Sequence, residues 1–237
     1  MSDLRTTTES SNDNKLMLGG FGEVLSYPGA KYAEQARRLN CLLAERLPDA
    51  AKHIAAFAEH TTPLSTTDQE EQFTRTFDIN PACALEVGWH LFGEDYSRGL
   101  FLVRMREEMR RHGLAESQEL PDHITHVLEV AGAMPHDAAA GFVRACVYAA
   151  LLKMSAALKR KESPYADVMA ALELVLADLF ELTDEDIERA ASAQEDAEAA
   201  YEISYAGAEE ERWQPGCCST GDVVPLDIPT DLDAKKV

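Results

Sequence analysis

The sequence predicts an all-α protein that folds as a single domain. Alanine and leucine are abundant, aromatic residues make up only 7% of the chain, and runs of Val, Ile or Thr are scarce. This composition favours helix over sheet, because β-branched and aromatic side chains are the ones enriched in strands. A chain of 237 residues can bury a sizeable core without disulfides or metal ions. We therefore expect a bundle of about nine helices.

The first helices are marked by apolar spacing and by proline and glycine. We expect a disordered leader over residues 1–13, followed by a short helix that ends at "LSYPG". In "KYAEQARRLNCLLAERL" apolar residues recur at spacings of three and four, and Pro48 then opens the next helix. "DQEEQFTRTFD" places Phe73 and Phe77 four residues apart, so both rings face the same side of a fourth helix.

Five more helices follow the Asn-Pro pair that ends the fourth. "ACALEVGWHLFG", "DYSRGLFLVRMREEMRRHGL" and "LPDHITHVLEVAGAM" are amphipathic, whereas "HDAAAGFVRACVYAALLKMSAAL" is apolar on most sides and is predicted to be the central buried helix. "SPYADVMAALELVLADLF" closes the compact part, with Ser163 able to cap it and Pro164 at its first position. The helical domain is expected to cover residues 14–198.

The last quarter of the chain has a different composition. Residues 178–237 contain 17 Asp and Glu against four Lys and Arg. Sequence that repels itself and has few apolar residues favours a frayed helix and a mobile tail, which we expect over residues 199–237. Cys217 and Cys218 lie there, and because they are adjacent we interpret them as tail thiols rather than as a zinc chelate.

Charge and composition also exclude several classes of partner. The formal net charge of −20 opposes binding to nucleic acid. The polar N-terminus lacks the apolar core of a signal peptide, and the sequence shows no run of about 18 uncharged apolar residues that would predict a membrane span. Three of the five cysteines lie singly in apolar helical patterns, which suits a reducing compartment. We expect a cytoplasmic protein.

The stretch "ELPDHITHVLEV" contains four potential metal ligands, Glu119, Asp122, His123 and His126. Pro121 is favoured at the first position of a helix, which would leave Glu119 in a loop and place Asp122 and His123 in the first turn. The spacing lacks the His-Glu-x-x-His pattern of zinc enzymes. We therefore favour a polar helix start or recognition surface, and keep as the alternative a helical metal-binding protein that uses Glu119, His123 and His126. Nothing in the sequence pairs a nucleophile with a base, so no enzyme is predicted.

Several motifs occur in an order that resembles a known family. "FTRTFD", "HLFGEDYSRG", "ELPDHITHVLE" and "SPYADVMAAL" are similar to the sequence of the delta-subunit, or NarJ-type, chaperones of respiratory nitrate reductase. These belong to the wider TorD/DmsD-like group of redox-enzyme maturation proteins. The resemblance covers residues 21–180.

This resemblance implies an all-helical, non-catalytic chaperone without a cofactor or metal of its own, either a monomer or a weak homodimer. Its partner would be the apo catalytic subunit of a molybdoenzyme, bound through the N-terminal segment and held ready for molybdenum-cofactor and iron-sulfur insertion. The residues that match the family's recurrent positions, and that we expect to bind the client peptide, are Asp78, Arg98, Glu119, Asp122 and His123. The sequence between Asp78 and Arg98 departs from the Ser/Leu-rich helix usual in nitrate reductase chaperones. A sister enzyme acting on selenate, chlorate, dimethyl sulfide, ethylbenzene or nitrite is therefore the alternative client.

Overall fold

The computed structural model describes the backbone of residues 3–192 and the side chains of residues 13–192. In this part of the chain all the regular secondary structure is helical, and the one β-type pairing is an isolated bridge between Glu86 and His123. The predicted all-α class is confirmed. Ten helices are present in the described residues if the continuous run His136–Arg160 counts as one.

The helices follow one another with short connections. Their bounds are α1 Asp3–Val24, α2 Tyr32–Ala44, α3 Pro48–Thr61, α4 Thr66–Thr76, α5 Val87–Phe92, α6 Tyr96–Arg111, α7 Ile124–Ala133, α8 His136–Phe142, α9 Tyr148–Arg160, α10 Tyr165–Leu179 and α11 Asp184–Ser192. A π-helical segment, Val143–Val147, joins α8 to α9 without a break, and a 3-10 turn, Pro81–Cys83, precedes α5. The helix beyond the nine predicted is α11, which lies in the acidic region expected to fray.

The structure describes part of the N-terminal region but not the C-terminal tail. Helix α1 begins at Asp3, whereas the sequence predicted a disordered leader over residues 1–13 and a helix only after it. The division of the chain into leader, domain 14–198 and tail stays a prediction. The predicted tail, residues 199–237 with Cys217 and Cys218, lies outside the described residues.

The run His136–Arg160 is the central helix, as its apolar sequence predicted. By length and hydropathy it would be able to cross a membrane, although charged residues interrupt it, and 72% of its apolar window is buried within the protein. It packs against α5, α10 and α11. Its apolar surface is thus covered by neighbouring helices, which identifies it as a core helix rather than a span.

An aromatic cluster joins the end of α4 to α10. The ring of Phe77 lies 4.8 Å from that of Phe73 and 4.7 Å from that of Tyr165. The buried hydroxyl of Tyr165 is hydrogen-bonded to that of Tyr32 at 3.0 Å, and Tyr32 donates to the carbonyl of Val24 at 2.6 Å. Because such ring contacts and satisfied hydroxyls favour one arrangement of the core, this cluster fixes α4 against α1, α2 and α10.

Side-chain caps begin α4, which ends shortly before Asp78, and α6, which carries Arg98. Ser65 and Asp68 form a reciprocal capping box at the start of α4. Asp95 accepts a hydrogen bond from the backbone N–H of Ser97 at 2.8 Å at the start of α6. Each cap satisfies backbone donors that the first turn leaves without partners, so these helix starts are locally determined.

Candidate functional site

The loop before α7 is held by a short backbone pairing with the segment before α5. The carbonyl of Asp122 accepts a hydrogen bond from the N–H of Val87 at 2.8 Å, and the N–H of Ile124 donates to the carbonyl of Leu85 at 2.8 Å. Two segments about 35 residues apart in sequence are thereby fixed side by side. Residues 85–87 and 122–124 form one platform from which α5 and α7 begin.

This pairing corrects the predicted start of α7. The sequence placed Pro121 at the first helical position and Asp122 and His123 in the first turn, but α7 begins at Ile124 and His123 is its N-cap. Nδ1 of His123 accepts a hydrogen bond from the N–H of Thr125 at 3.3 Å. The prediction was wrong because the backbone of Asp122 is committed to the pairing with Val87 and so cannot adopt helical hydrogen bonding.

Asp122 is a buried carboxylate, and Arg98 is its cationic partner within residues 13–192. Its side chain has no exposed surface, and Nε of Arg98, from the first turn of α6, lies 3.1 Å from its Oδ2. Oδ1 is buried and has no hydrogen-bond partner in the described residues. Burial raises the pKa of Asp122, and the guanidinium of Arg98 opposes this rise. Arg98 also lies over the indole of Trp89, 5.7 Å from its centroid.

Gly88 makes room for this ion pair. A Cβ atom at Gly88 would lie 2.6 Å from Oδ2 of Asp122 and 3.0 Å from the ring of Phe101. Glycine is thus required here by close packing, within a helix where it is otherwise unfavourable. Sequence reasoning missed this residue, because a glycine in a short helix shows no pattern that reveals the neighbour it accommodates.

An open cleft of about 660 Å³ lies above the platform. Four of the five residues predicted to bind a client line it, namely Asp78, Arg98, Glu119 and His123. The fifth, Asp122, lies buried beneath Arg98. The other lining residues come from α4, from the segments around α5 and α7 and from the α1–α2 connection: Tyr27, Phe73, Phe77, Pro81, Ala84, Leu85, Glu86, Trp89, Gln118 and Leu120.

One side of the cleft is aromatic and apolar. The ring of Tyr27 packs edge-on against that of Phe73 at 5.7 Å and keeps 55% of its surface exposed, and Leu120 keeps 46%. Trp89 is fixed by a hydrogen bond from Nε1 to the carbonyl of Pro81 at 2.9 Å. Exposed apolar side chains beside a cleft are a usual mark of a recognition surface. Tyr27 comes from the α1–α2 connection, a segment distant in sequence from Trp89 and Leu120.

The charged side of the cleft is mostly acidic. Asp78 and Glu119 are exposed, and Glu86, which sequence reasoning missed, is half-buried. Burial raises the pKa of Glu86, and the nearby carboxylates of Asp122 and Glu119 raise it further, whereas Arg98 lowers it. Burial and the neighbouring His126 lower the pKa of His123 to about 4, so its imidazole is neutral near pH 7.

The histidines of this loop serve its structure rather than a metal ion. Nδ1 of His126 is hydrogen-bonded to the carbonyl of Leu120 at 2.9 Å, and its Nε2 accepts from the N–H of Ser117 at 3.4 Å. Both ring nitrogens thus hold the loop that carries Glu119. Over residues 13–192 no three His, Cys, Asp or Glu side chains come together in a way that could hold a metal ion. The alternative site of Glu119, His123 and His126 is therefore not assembled.

The fold and the cleft together define a class of all-helical protein with an acidic, aromatic recognition surface formed where α4, α5, α6 and α7 meet. The sequence pattern of the nitrate reductase delta subunit matches residues 42–171, more than half of the chain. This protein belongs to the nitrate reductase delta subunit family.

Individual relatives agree with this membership. The chain is 32% identical over 148 residues, 60% of its length, to the "Nitrate reductase molybdenum cofactor assembly chaperone NarJ" of Escherichia coli strain K12, and the match spans 62% of that relative. It is 23% identical over 165 residues, 69% of its length, to the "Probable nitrate reductase molybdenum cofactor assembly chaperone NarJ" of Bacillus subtilis strain 168, where the match spans 89%. The matched region is thus less than two thirds of the length of the E. coli relative.

Proposed function

We propose that this protein is a cytoplasmic chaperone for a nitrate reductase-like molybdoenzyme, which binds the apo catalytic subunit and assists insertion of its molybdenum cofactor and iron-sulfur cluster. The observation that carries the proposal is the cleft, in which residues matching the family's recurrent positions, Asp78, Arg98, Glu119 and His123, face an exposed aromatic surface. The relatives of the chain carry the name of assembly chaperones for this class of enzyme.

The chemistry of the cleft favours an amphipathic basic peptide, such as the N-terminal segment of the catalytic subunit. Tyr27, Trp89 and Leu120 provide surface for apolar side chains, as in other grooves that receive one face of a helix. The carboxylates of Asp78 and Glu119 at the cleft would attract Lys or Arg and accelerate association. In this proposal the protein binds and releases its client without catalysing a reaction.

The test is a pull-down of the tagged full-length protein from cells blocked in molybdenum-cofactor synthesis, with mass spectrometry of the bound proteins. The expected result is recovery of an apo molybdoenzyme catalytic subunit, and loss of that recovery when the subunit's N-terminal segment is deleted. Recovery of no molybdoenzyme subunit would overturn the proposal. Co-purification with mature, cofactor-loaded enzyme instead would indicate a permanent structural adaptor.

The same experiment names the client. Recovery of a nitrate reductase subunit would agree with the names of the relatives, whereas a selenate, chlorate, dimethyl sulfide, ethylbenzene or nitrite enzyme would identify a sister system. Light scattering of the purified complex, in turn, tests our expectation of a monomer or a weak homodimer.

A further inference from the structure

Glu86 occupies an unusual position in the cleft. It precedes α5 as the N-cap residue, yet its side chain makes no hydrogen bond to the first turn of that helix. The backbone on both sides is held by the pairing of residues 85–87 with residues 122–124. The half-buried carboxylate of Glu86 therefore does not cap α5, and it lines the cleft from a backbone segment that is held in place on both sides.

The charges around Glu86 do not neutralise it. Arg98 is the cation that acts on Glu86, and its Nε is already bonded to Asp122 at 3.1 Å. Asp122 and Glu119 add negative charge at the same place, and Oδ1 of Asp122 is buried without a hydrogen-bond partner in the described residues. No ion pair of Glu86 is found within residues 13–192. The cleft floor thus carries more negative charge than its own arginine balances.

Burying a carboxylate away from water is unfavourable unless a cation pairs with it. A cationic side chain that pairs with half-buried Glu86 would therefore gain more binding free energy than one that pairs with an exposed carboxylate at the rim of the cleft. Trp89, Phe73 and Phe77 line the same cleft as Glu86. These suit the alkyl stem of a lysine or arginine, whose charged end would reach the carboxylate.

We propose that Glu86 is the specificity-determining residue of the cleft, which pairs with one Lys or Arg side chain of the bound client segment while the aromatic wall receives its apolar neighbours. This inference rests on the proposed function and deepens it, because it selects one interior carboxylate over the exposed acids Asp78 and Glu119.

The experiment is a double-mutant cycle by calorimetry on the full-length protein. The probe is a synthetic peptide of the N-terminal segment of the catalytic subunit recovered in the pull-down, together with variants in which each Lys or Arg is changed singly to Gln. Glu86→Gln should weaken binding of the unmodified peptide by roughly tenfold or more. One of the peptide variants should bind the wild-type protein more weakly than the unmodified peptide does, by the same factor of roughly ten or more. That variant and the unmodified peptide should bind Glu86→Gln with nearly equal affinity.

A matched control is Glu129→Gln, an exposed glutamate of α7 outside the cleft, which should bind every peptide as the wild type does. Thermal melting checks that Glu86→Gln is folded, and a charge-swapped pair, Glu86→Lys with Glu at the selected peptide position, should recover part of the lost affinity. Unchanged affinity of folded Glu86→Gln, or additive losses with every peptide variant, would overturn the inference and leave the proposed function standing. Failure of the wild-type protein to bind the unmodified peptide would overturn the peptide-binding part of the proposed function, and this inference with it.

Discussion

Nε of Arg98 lies 3.1 Å from Oδ2 of Asp122, and the two residues join the start of α6 to the loop before α7 beneath the cleft. The Asp122 side chain is fully buried, whereas 23% of the Arg98 side chain remains exposed. A buried carboxylate in contact with one arginine is poorly tolerated once that arginine is lost, because the charge then has neither water nor a cation to compensate it. The cleft and the stability of the fold therefore depend on the same pair.

Arg98→Ala should lower the free energy of unfolding by about 3 kcal/mol at pH 7, as expected for removal of one partner from a buried ion pair. The pKa of Asp122 is already raised by burial, and loss of Arg98 would raise it further. A carboxyl whose pKa is higher in the folded than in the unfolded state stabilises the fold less as pH rises through that pKa. The free energy of unfolding that Arg98→Ala loses relative to the wild type should therefore be largest at neutral pH and smaller in acid. Urea unfolding at several pH values measures it.

The control for this prediction is the double variant Arg98→Ala with Asp122→Asn, which removes the buried charge together with its partner. It should be more stable than Arg98→Ala alone at neutral pH and should lack the part of the pH dependence that comes from Asp122. A deficit of Arg98→Ala that stays constant with pH would show that lost packing, not the unpaired carboxylate, is responsible.

Gly88→Ala should destabilise the protein by about 1–3 kcal/mol, the usual cost of forcing an extra methyl group into a filled core. The new Cβ would lie 2.6 Å from Oδ2 of Asp122, and backbone of α5 or the Arg98–Asp122 pair would have to move. Gly99→Ala in α6 is the matched control, since a Cβ there meets nothing within 4 Å and alanine is the better helix former. Thermal melts in which both variants behave alike would contradict the packing role of Gly88.

The helices were predictable because their causes are local. Apolar spacing in α2, the proline that opens α3 and the apolar sequence of the central helix each act within a few turns, and the structure has helices at all three places. The start of α7 was predicted wrongly for the opposite reason. Hydrogen bonds from Val87 and Ile124 to the other segment, absent from any local pattern, outweigh the preference of Pro121 for a first helical turn.

The cleft was predictable in part. The motif residues Asp78, Arg98, Glu119 and His123 were singled out by resemblance, and the fold brings all four to one cavity. The complete burial of Asp122 was not predictable, because aspartate in a loop is ordinarily exposed. Tyr27 and Glu86 were missed since their contribution arises only when the α1–α2 connection and the segment before α5 meet α4 and α7.

Glu119→Lys should weaken binding of the client's N-terminal peptide by roughly tenfold at low salt and by less at high salt, because an exposed charge acts mainly through screened attraction. Glu119 is suited to this test since it is exposed at the cleft, whereas a charge reversal at fully buried Asp122 would disrupt the fold itself. Glu129→Lys, at a residue that is also exposed but lies outside the cleft, makes the same change in net charge. Calorimetry at two salt concentrations should separate the two variants. Equal losses would mean that net charge, not the cleft, governs binding.

Stability should fall in mild acid because His123 is buried in its neutral form. Burial and His126 lower its pKa to about 4 in the folded protein, against 6.5 for an unperturbed histidine. Below pH 6.5 this histidine takes up a proton in the unfolded chain but stays neutral in the folded protein. Its contribution to the free energy of unfolding is therefore present at neutral pH and is lost as pH falls from 6.5 toward 4. The loss should reach about 3 kcal/mol. Urea unfolding between these pH values measures it.

His123→Asn isolates this contribution. Asparagine is a favoured N-cap residue, so its side chain replaces Nδ1 of His123 as the acceptor for the N–H of Thr125 at the start of α7, and it does not titrate. The variant should lose less stability than the wild type between pH 6.5 and 4, because only the remaining groups respond. Parallel pH profiles of the two proteins would contradict the prediction, because His123 would then take up its proton as readily in the folded protein as in the unfolded chain.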